Sequence, residues 1–380
     1  MQFYHWIMKV VYISSSVFPS SQANNVHVTS ICNSIFEAGN ELILIAYYIE
    51  GHDLNSISRK IYSDYSLNSG IEIVLLIRRE SLASSYFSGL EISKLIKLIG
   101  PDIIVGRNFT GTFFSREYCK NIFLELHQPI NFGIGLQFFL LKKLLKHKNF
   151  NRLIVISNPL KQIFISSGVS KNKIIVLPDG ASVPEKEASI DSIIFSSRLN
   201  IGYFGSLYPG RGVELILELA RLLPEMDFYI YGGSLDQLKL LNTTNYDLDN
   251  LNFLGHIPFA QVKREMQRMH ILLAPYQRQV GLASGSMTTE NWMSPLKIFE
   301  YMSVERAIIC SDIPVLHEVL TNGVNCFLRF PEDLDGWKQT LKELDLNRSE
   351  LSRIAKQGRL DLIGKYSWDI RWQQIYKLKK

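Results

Sequence analysis

Residues 294–303 read SPLKIFEYMS, and this run predicts an α-helix whose start binds an anion. Ser294 is a favourable N-cap residue, and Pro295 suits the first helical position because its ring fixes φ near the helical value. The first turn of such a helix leaves backbone N–H groups unpaired and carries the positive end of the helix dipole, which suits a diphosphate. The run therefore predicts a phosphate-binding element in the second half of the chain.

Two charged side chains follow within this helix. Lys297 lies in the first turn, where a cation opposes the helix dipole unless it contacts a bound anion. Glu300 lies three residues later on the same face, and its carboxylate leans back toward the helix start. A carboxylate that accepts from two adjacent hydroxyls is a common way to hold a ribose. A capped helix with a surface Lys–Glu pair would show the same pattern, so the run alone leaves both interpretations open.

The run GSLYPGRG at residues 205–212 is a second candidate phosphate element, because it follows a predicted strand. A glycine-rich turn lets backbone N–H groups approach a phosphate, and Arg211 can bind the same group through two N–H donors. A turn between strand and helix also carries glycine for purely structural reasons. Two such elements in one domain favour a ligand at the carboxyl edge of a parallel sheet.

Short β-branched runs alternate with amphipathic stretches along the chain, which predicts parallel sheets with crossover helices. A chain of 380 residues favours two domains, and we expect them at 1–190 and 198–365, with a helix over 366–380. Between them, Pro, Gly, Ser and paired charges replace the apolar pattern. The predicted strands are 9–14, 41–48, 71–77, 102–105, 122–126, 153–156, 174–177, 201–206, 227–231, 251–254, 271–274, 307–311 and 326–330.

Composition narrows the class of protein. Hydrophobic residues make up 46% and charged residues 20%, which is typical of a soluble globular protein. No run reaches the roughly 18 to 20 apolar residues that a membrane span needs, and the first residues do not form a signal peptide pattern. We therefore expect a cytoplasmic protein. Four scattered cysteines with apolar neighbours favour buried free thiols over disulfides or a metal site; they are Cys32, Cys119, Cys310 and Cys326.

The net charge of +5 comes entirely from the first half of the chain. Residues 1–190 hold 19 Lys and Arg against 14 Asp and Glu, and the remainder holds 22 of each sign. This modest excess favours an anionic substrate or surface and gives no reason to expect a nucleic acid.

Part of the basic excess lies in the run FFLLKKLLKHK at residues 138–148. Apolar and cationic blocks alternate there, as in helices that lie on anionic membranes. The alternative is a core-packed helix with a solvated lysine face. The candidate membrane-surface residues are Lys142, Lys143, Lys146 and Lys148.

Together these runs resemble the retaining GT-B glycosyltransferases of family 4, the glycosyl transferases group 1. SPLKIFEYMS is the most specific match. Further matches in the second half lie at 201–212, 253–257, 273–276 and 306–323, and looser ones in the first half lie at 25–28, 125–129, 155–157 and 177–180. The resemblance implies an α/β GT-B fold, in which two Rossmann-like, doubly wound domains face each other across a cleft. It also implies that the C-terminal helix, 366–380, returns to the acceptor-binding domain, 1–190, and that 198–365 binds the donor.

The resemblance also implies roles for individual residues. Glu300 would bind the ribose hydroxyls of the donor, Arg211 its diphosphate, and His127 would face the transferred sugar. The predicted catalytic residues are His127, Arg211, Lys297 and Glu300. The predicted donor-binding residues are Ser206, Arg211, Ile257, Ser294, Pro295, Leu296, Lys297 and Glu300. The predicted acceptor-side residues are Asn24, Asn25, Arg107 and His127.

The implied activity is the transfer of a hexose from a UDP- or GDP-linked sugar to a glycan or lipid-linked acceptor. Bacterial surface polysaccharide biosynthesis is the implied pathway, with peripheral attachment to the inner face of the cytoplasmic membrane. No cofactor and no metal are expected, because GT-B members generally need neither. Trp292 replaces the first glutamate of a family pair, and Ser206 replaces a basic residue of the phosphate clamp. These departures leave open a non-catalytic relative that binds sugar nucleotide as a subunit or sensor.

Overall fold

A computed structural model describes residues 7–20, 23–51, 53–78, 82–130, 135–184, 189–233, 237, 248–280 and 291–380. Its contacts divide the chain into two units. Unit 1 consists of two segments, the residues up to Asp179 and Trp368–Lys380, and unit 2 is Gly180–Ser367. Ala181 and Ser367 form a parallel bridge, so both ends of unit 2 lie side by side. For this reason residues 180–190 and 366–367, which we expected in the first domain, lie with unit 2.

Each unit contains one parallel sheet. The order is β3-β2-β1-β4-β5-β6-β7 in unit 1 and β10-β9-β8-β11-β12-β13 in unit 2, so the strand order reverses between β1 and β4 and again between β8 and β11. Four strand predictions, 41–48, 227–231, 271–274 and 307–311, match residue for residue. The strands are β1 Lys9–Val17, β2 Glu41–Tyr48, β3 Glu72–Ile77, β4 Ile103–Gly106, β5 Asn121–Leu126, β6 Phe150–Val155, β7 Ile174–Val176, β8 Asn200–Phe204, β9 Asp227–Tyr231, β10 Leu251–Gly255, β11 Ile271–Ala274, β12 Ala307–Ser311 and β13 Phe327–Arg329.

Helices connect these strands, and several begin at polar caps. The Asp53 carboxylate accepts from two N–H groups at the start of α2, and Asn108 and Ser157 cap α4 and α6 in the same way. The α-helices are α1 Ala23–Glu37, α2 Leu54–Asp64, α3 Leu82–Ile99, α4 Phe109–Phe114, α5 Leu136–Leu145, α6 Asn158–Ser166, α7 Val213–Leu222, α8 Phe259–Met266, α9 Leu296–Ser303, α10 Leu334–Leu346, α11 Arg348–Asp361 and α12 Trp368–Lys377. None of the helices in the described ranges is long and apolar enough to cross a membrane.

The C-terminal helix belongs to unit 1, as predicted, but it begins at Trp368 instead of residue 366. A π-helical turn covers Leu362–Tyr366, and Ser367 is extended with ψ 152°, which separates that turn from α12. Helix α12 packs on α1. Trp368 and Trp372 are buried there, and the Ser34 hydroxyl donates to Asp369 at 2.6 Å. The two tryptophans are therefore part of the core of unit 1.

Two glycines bring the loop after β8 against the segment after β11. Gly212 has φ +75°, and a Cβ at this position would lie 1.7 Å from the Pro275 carbonyl oxygen. Gly210 has φ +83°, and its Cβ would lie 1.9 Å from the Gln279 carbonyl oxygen. Only glycine allows this backbone conformation and this close approach. The two loops at the reversal point of the second sheet therefore form one surface.

All four cysteines are buried free thiols, which confirms that prediction.

Candidate functional site

Unit 2 places the predicted donor-binding residues at the carboxyl ends of its strands. Residues 205–212 connect β8 to α7, and Tyr276 follows β11, so both lie where the strand order reverses. Ligands of open α/β sheets bind at this point. Lys297, from α9, reaches the same place, because a Cβ on Gly205 would lie 2.8 Å from its Nζ.

The side chain of Lys297 ends in a buried amino group, Nζ, that makes no hydrogen bond within the described residues. Its Nζ lies 4.0 Å from the centroid of the Tyr203 ring and 5.3 Å from that of Tyr276. Ring faces attract a cation but do not replace the hydrogen bonds that it makes in water. Burial, and then the charge of Arg211, lower the pKa of Lys297 well below its usual range. Within the described residues, no anionic group forms a hydrogen bond with Lys297.

Arg211 also lies over the ring of Tyr276, with its guanidinium carbon 5.7 Å from the Tyr276 centroid. Two basic groups face one small region, and the charge of each disfavours that of the other. An anion with several oxygens could contact both, because guanidinium and ammonium groups both pair well with phosphate. The pair therefore fits a diphosphate better than a single carboxylate.

The start of α9 differs from the prediction by one residue. Pro295 has φ −75° and ψ 116°, so it occupies the cap position, and the first helical residue is Leu296. Ser294 is consequently not the N-cap, because the extended ψ of Pro295 makes the helix begin one residue later than predicted. The first-turn N–H groups of α9 still open toward the loop that precedes it.

Glu300 lies on the second turn of α9. Burial raises its pKa, and Lys263 and Lys297 oppose this effect.

Ile257 lies just after β10 and packs, partly buried, against the core of unit 2. The Ser206 carbonyl accepts a hydrogen bond of 2.7 Å from the Tyr203 hydroxyl. Ser206 thus helps to hold the tyrosine ring under Lys297, but it does not supply the charge of the basic residue that it replaces.

Unit 1 contains a second polar constellation, which we call the buried charge cluster. It forms around the carboxylate of Glu125, at the end of β5, which is wholly buried. Side chains from α1, from three strand ends and from α12 converge on this carboxylate or on the aspartate beside it. The members of the cluster are His27, Arg107, Glu125, His127, Asp179 and Arg371.

One oxygen of Glu125, Oε1, receives most of these contacts. It lies 2.5 Å from His127 Nε2, 3.1 Å from His27 Nε2 and 3.0 Å from Arg371 Nη2. Arg107 Nε is farther away at 3.9 Å. Burial alone would raise the pKa of Glu125, but Arg371 and the two histidines hold it well below its usual range. Glu125 is therefore an ionised carboxylate inside the protein.

The two histidines differ in their surroundings. His27 is almost fully buried in α1, with Nδ1 3.1 Å from Asp179 Oδ1 and Nε2 facing Glu125. The His127 side chain is 21% exposed. Burial and the charge of Arg107 lower the pKa of His127 to about 4, so its imidazole is neutral at neutral pH.

Four members of the cluster offer ligand atoms within 4.8 Å of one another, and could by distance hold a metal ion: His27, Glu125, His127 and Asp179. The charges argue against this use. The two guanidinium groups already offset the two carboxylates, so a divalent cation would add uncompensated charge in a buried place. The expectation of a metal-free protein stays a prediction. No local sequence pattern predicts this cluster as a unit, because its members are far apart in the chain.

The predicted acceptor-side asparagines lie in α1 and bond to the end of β1. Asn24 Nδ2 donates to Ser16 Oγ at 2.6 Å, and Asn25 Nδ2 donates to the Val17 carbonyl at 3.0 Å. Asn25 is 1% exposed, so its amide holds α1 against the strand. Contact of these residues and of Arg107 with an acceptor stays a prediction.

The basic run forms α5 and the turn after it. Leu141, Leu144 and Leu145 are buried, which matches the core-packed interpretation for one face of the helix. The opposite face is also apolar in part, since Leu136 and Phe139 are 57% and 54% exposed. Lys142 and Lys143 lie over the rings of Phe138 and Phe139, at 4.4 and 4.6 Å from their centroids, and Lys146 and Lys148 are exposed.

Comparison with known proteins identifies what these two units resemble. Residues 198–346 match the family described as Glycosyl transferases group 1. An uncharacterised glycosyltransferase of Methanocaldococcus jannaschii is 23% identical over 224 residues, which cover 58% of this chain and 57% of that protein. The O-antigen chain mannosyltransferase RfbU of Salmonella typhimurium is 24% identical over 178 residues, which cover 45% of this chain and 44% of RfbU. The matches thus span about half the length of these relatives.

Among solved structures, HepE of Anabaena, in complex with UDP and glucose, superposes with a TM-score of 0.66 at 15% identity. The match covers 97% of this chain and 98% of HepE. The chain therefore has the GT-B fold, with two Rossmann-like α/β units, and the predicted fold class is confirmed.

Arg371 allows a test of the buried charge cluster. We expect Arg371→Met to lower the free energy of unfolding by about 3 to 5 kcal/mol, because it leaves the Glu125 carboxylate buried with too little positive charge. Lys9→Met is the matched control in the same unit, since Lys9 pairs with Glu41 on the surface at 3.1 Å and should contribute less than about 1 kcal/mol. Denaturant unfolding followed by tryptophan fluorescence measures both. Equal midpoints for the two variants would show that Arg371 does not stabilise Glu125.

Proposed function

We propose that this protein is a glycosyltransferase whose donor is a nucleotide-diphosphate sugar. The observation that carries the proposal is the buried Nζ of Lys297, which makes no hydrogen bond within the described residues and lies close to Arg211 at the reversal point of the second sheet. A diphosphate would pair with this group, and the N–H groups at the start of α9 add donors to the same ligand. In this proposal Glu300, three residues along α9 from Lys297, accepts from the hydroxyls of the attached ribose.

We further propose a retaining hexosyltransferase that uses a UDP- or GDP-linked sugar and acts on a glycan or lipid-linked acceptor. The bound UDP and glucose of HepE support a uridine nucleotide and a hexose. RfbU, by its name an O-antigen chain mannosyltransferase, supports a role in bacterial surface polysaccharide assembly.

The transfer then needs little covalent chemistry from the protein. The bond between the anomeric carbon and the diphosphate breaks, and the acceptor oxygen forms its bond to the same face of the sugar. The departing diphosphate takes the proton of the acceptor hydroxyl, so no side chain needs to act as a base. Arg211, Lys297 and the start of α9 stabilise the charge that develops on the leaving group. In this scheme His127 faces the sugar that is transferred.

We also propose that α5 rests on an anionic membrane surface. Leu136 and Phe139 expose apolar area on the face that does not enter the core, and the lysines surround this area. An interfacial helix combines these two features, because its apolar side chains enter the headgroup region and its cations meet anionic lipids. A lipid-linked acceptor would be reached from such a position.

Thermal unfolding in the presence of UDP-, GDP- and ADP-sugars tests the donor site. We expect one nucleotide class to stabilise the wild type and Glu300→Gln to bind it about 10- to 100-fold more weakly, because hydrogen bonds to a charged group are lost. Glu343→Gln, an exposed glutamate of α10, should behave as wild type. If none of the nucleotides raises the unfolding temperature of the wild type, the proposal fails. If a nucleotide does bind, a second assay distinguishes an enzyme from a binding protein: an enzyme releases free nucleotide only when an acceptor lipid extract is added.

Proton uptake tests the role of Lys297. We expect nucleoside diphosphate binding to take up a proton and to weaken as the pH rises, because a phosphate restores the charged form of a lysine whose pKa is lowered in the free protein. Isothermal titration in buffers of different ionisation enthalpy measures this uptake. Lys297→Met should abolish it and weaken binding about 10- to 100-fold. Lys338→Met, on the surface of the same unit, should change neither. Uptake that persists without Lys297 would assign the titrating group elsewhere.

Vesicle binding tests the α5 surface. We expect the protein to bind anionic vesicles in a salt-sensitive way, and the triple change of Lys142, Lys143 and Lys146 to Glu to abolish binding, since about 1 kcal/mol is gained per basic residue at such a surface. The matched control changes Lys60, Lys94 and Lys120 to Glu, which alters the net charge equally at other exposed positions of unit 1. Equal loss of binding in both variants would attribute the effect to net charge, and unchanged binding in the first would disprove the proposal.

A further inference from the structure

A second cavity lies at the carboxyl ends of the strands of unit 2, beside the proposed donor site. Its wall comes from three segments, which are the loop after β8 with the first turn of α7, the segment after β11 and the turn after β13. Its volume of about 710 Å³ falls within the roughly 300 to 1,000 Å³ of small-ligand pockets. Among the described residues, neither Arg211 nor Lys297 belongs to this wall. The cavity is therefore a candidate binding site of its own.

Contacts between the three segments hold the wall together. The Gln277 N–H donates to the Gly210 carbonyl at 2.9 Å, and Gly210 also packs against the Gln279 carbonyl. Arg278 Nη2 lies 3.2 Å from Glu332 Oε2, and Arg278 Nε donates to the other oxygen of this carboxylate. The first pair of contacts joins the loop after β8 to the segment after β11, and the second joins that segment to the turn after β13. The cavity is thus formed before a ligand binds.

The turn after β13 is anchored on both sides. Trp337 is fully buried, and its Nε1 donates to the Phe330 carbonyl at 3.0 Å. The Asp333 carboxylate accepts from the Gly336 N–H at 2.9 Å and caps α10. The two residues between Phe330 and Asp333 are the ones that line the cavity, so this part of the wall is fixed as well.

The charge of the lining differs from that of the proposed donor site. Arg278 is offset by Glu332, its bidentate partner, and Glu214 in the first turn of α7 adds a second carboxylate. The lining therefore carries a net negative charge. A phosphate or a nucleotide is repelled by such a lining, so the cavity does not extend the anion site.

The remaining groups of the lining suit a sugar. The amides of Gln277 and Gln279 each offer donors and an acceptor, as a sugar hydroxyl also does. Pro209, Leu215 and Pro331 add apolar surface between these polar groups, and the C–H groups of a pyranose ring can pack against it. A ligand pocket commonly combines apolar walls with a few polar groups that fix orientation.

We propose that this cavity binds a neutral saccharide, at a site separate from that of the nucleotide-linked sugar. The class of ligand follows from the charge and the hydrogen-bonding groups of the lining. Its use, to hold a part of the glycan that is not the transferred sugar, rests on the proposed function.

Saturation-transfer difference NMR tests the site with neutral disaccharides of glucose, galactose and mannose. We expect signals from at least one of them to persist under an excess of the nucleoside diphosphate that binds most tightly, because the two ligands occupy different sites. Loss of the signals on addition of the nucleotide would overturn the proposal, since the saccharide would then bind at the donor site. Absence of signals from every disaccharide, or binding of spermidine in their place, would overturn it too.

Variants locate the bound saccharide. Glu214→Ala and Gln279→Ala remove hydrogen-bonding groups from two segments of the wall and keep the Arg278–Glu332 pair. Each should weaken saccharide binding about 2- to 10-fold, and Gln279→Ala should leave the binding of the nucleoside diphosphate unchanged. Gln339→Ala is the matched control, because its amide lies on the exposed face of α10 and bonds to Glu343.

Equal saccharide binding by wild type, Glu214→Ala and Gln279→Ala would contradict the proposal, because the sugar would then lie elsewhere. Both substitutions fall at exposed positions, and thermal unfolding verifies that the variants fold. If no nucleotide binds to the wild type, the proposed function fails, and the variants still decide whether the cavity takes a saccharide.

Discussion

Unit 1 depends on one buried ion pair, in which Arg371 of helix α12 neutralises Glu125 at the end of strand β5. Neither charge is stable in the interior by itself, because removal from water costs several kcal/mol per ion. Their pairing therefore links the two ends of the sequence of this unit. His27 and His127 contact the same oxygen of Glu125. The buried carboxylate thus holds α1 and the loop after β5 in place, as well as α12.

The two units differ in how the charged side chains at the carboxyl ends of their strands are balanced. In unit 1 the charges are balanced internally, and the side chains are held rigidly. In unit 2 Lys297 and Arg211 lie close together over aromatic rings, and no described side chain forms a hydrogen bond with Lys297 Nζ. Unbalanced charge at such a sheet edge favours an anionic ligand.

Much of the fold could be predicted from the sequence, because β-branched runs in parallel sheets are buried on both faces and end sharply at turns. β9, β11 and β12 were predicted residue for residue for this reason. The start of α9 was not, because Pro295 is compatible with the cap position as well as with the first helical position, and only its ψ decides. Lys297 and Arg211 were found through local patterns, whereas the partners of Glu125 could not be, since Arg371 is 246 positions away along the chain and no local pattern marks such a contact.

The discontinuous course of unit 1 has a consequence for biosynthesis. A ribosome adds roughly 5 to 20 residues per second, and domains usually fold as they emerge. Residues up to Asp179 leave the ribosome first, yet Arg371 follows only after the whole of unit 2. During that interval Glu125 lacks the guanidinium group that lies nearest to it in the folded protein. Completion of unit 1 therefore waits until Arg371 has been synthesised, after the whole of unit 2.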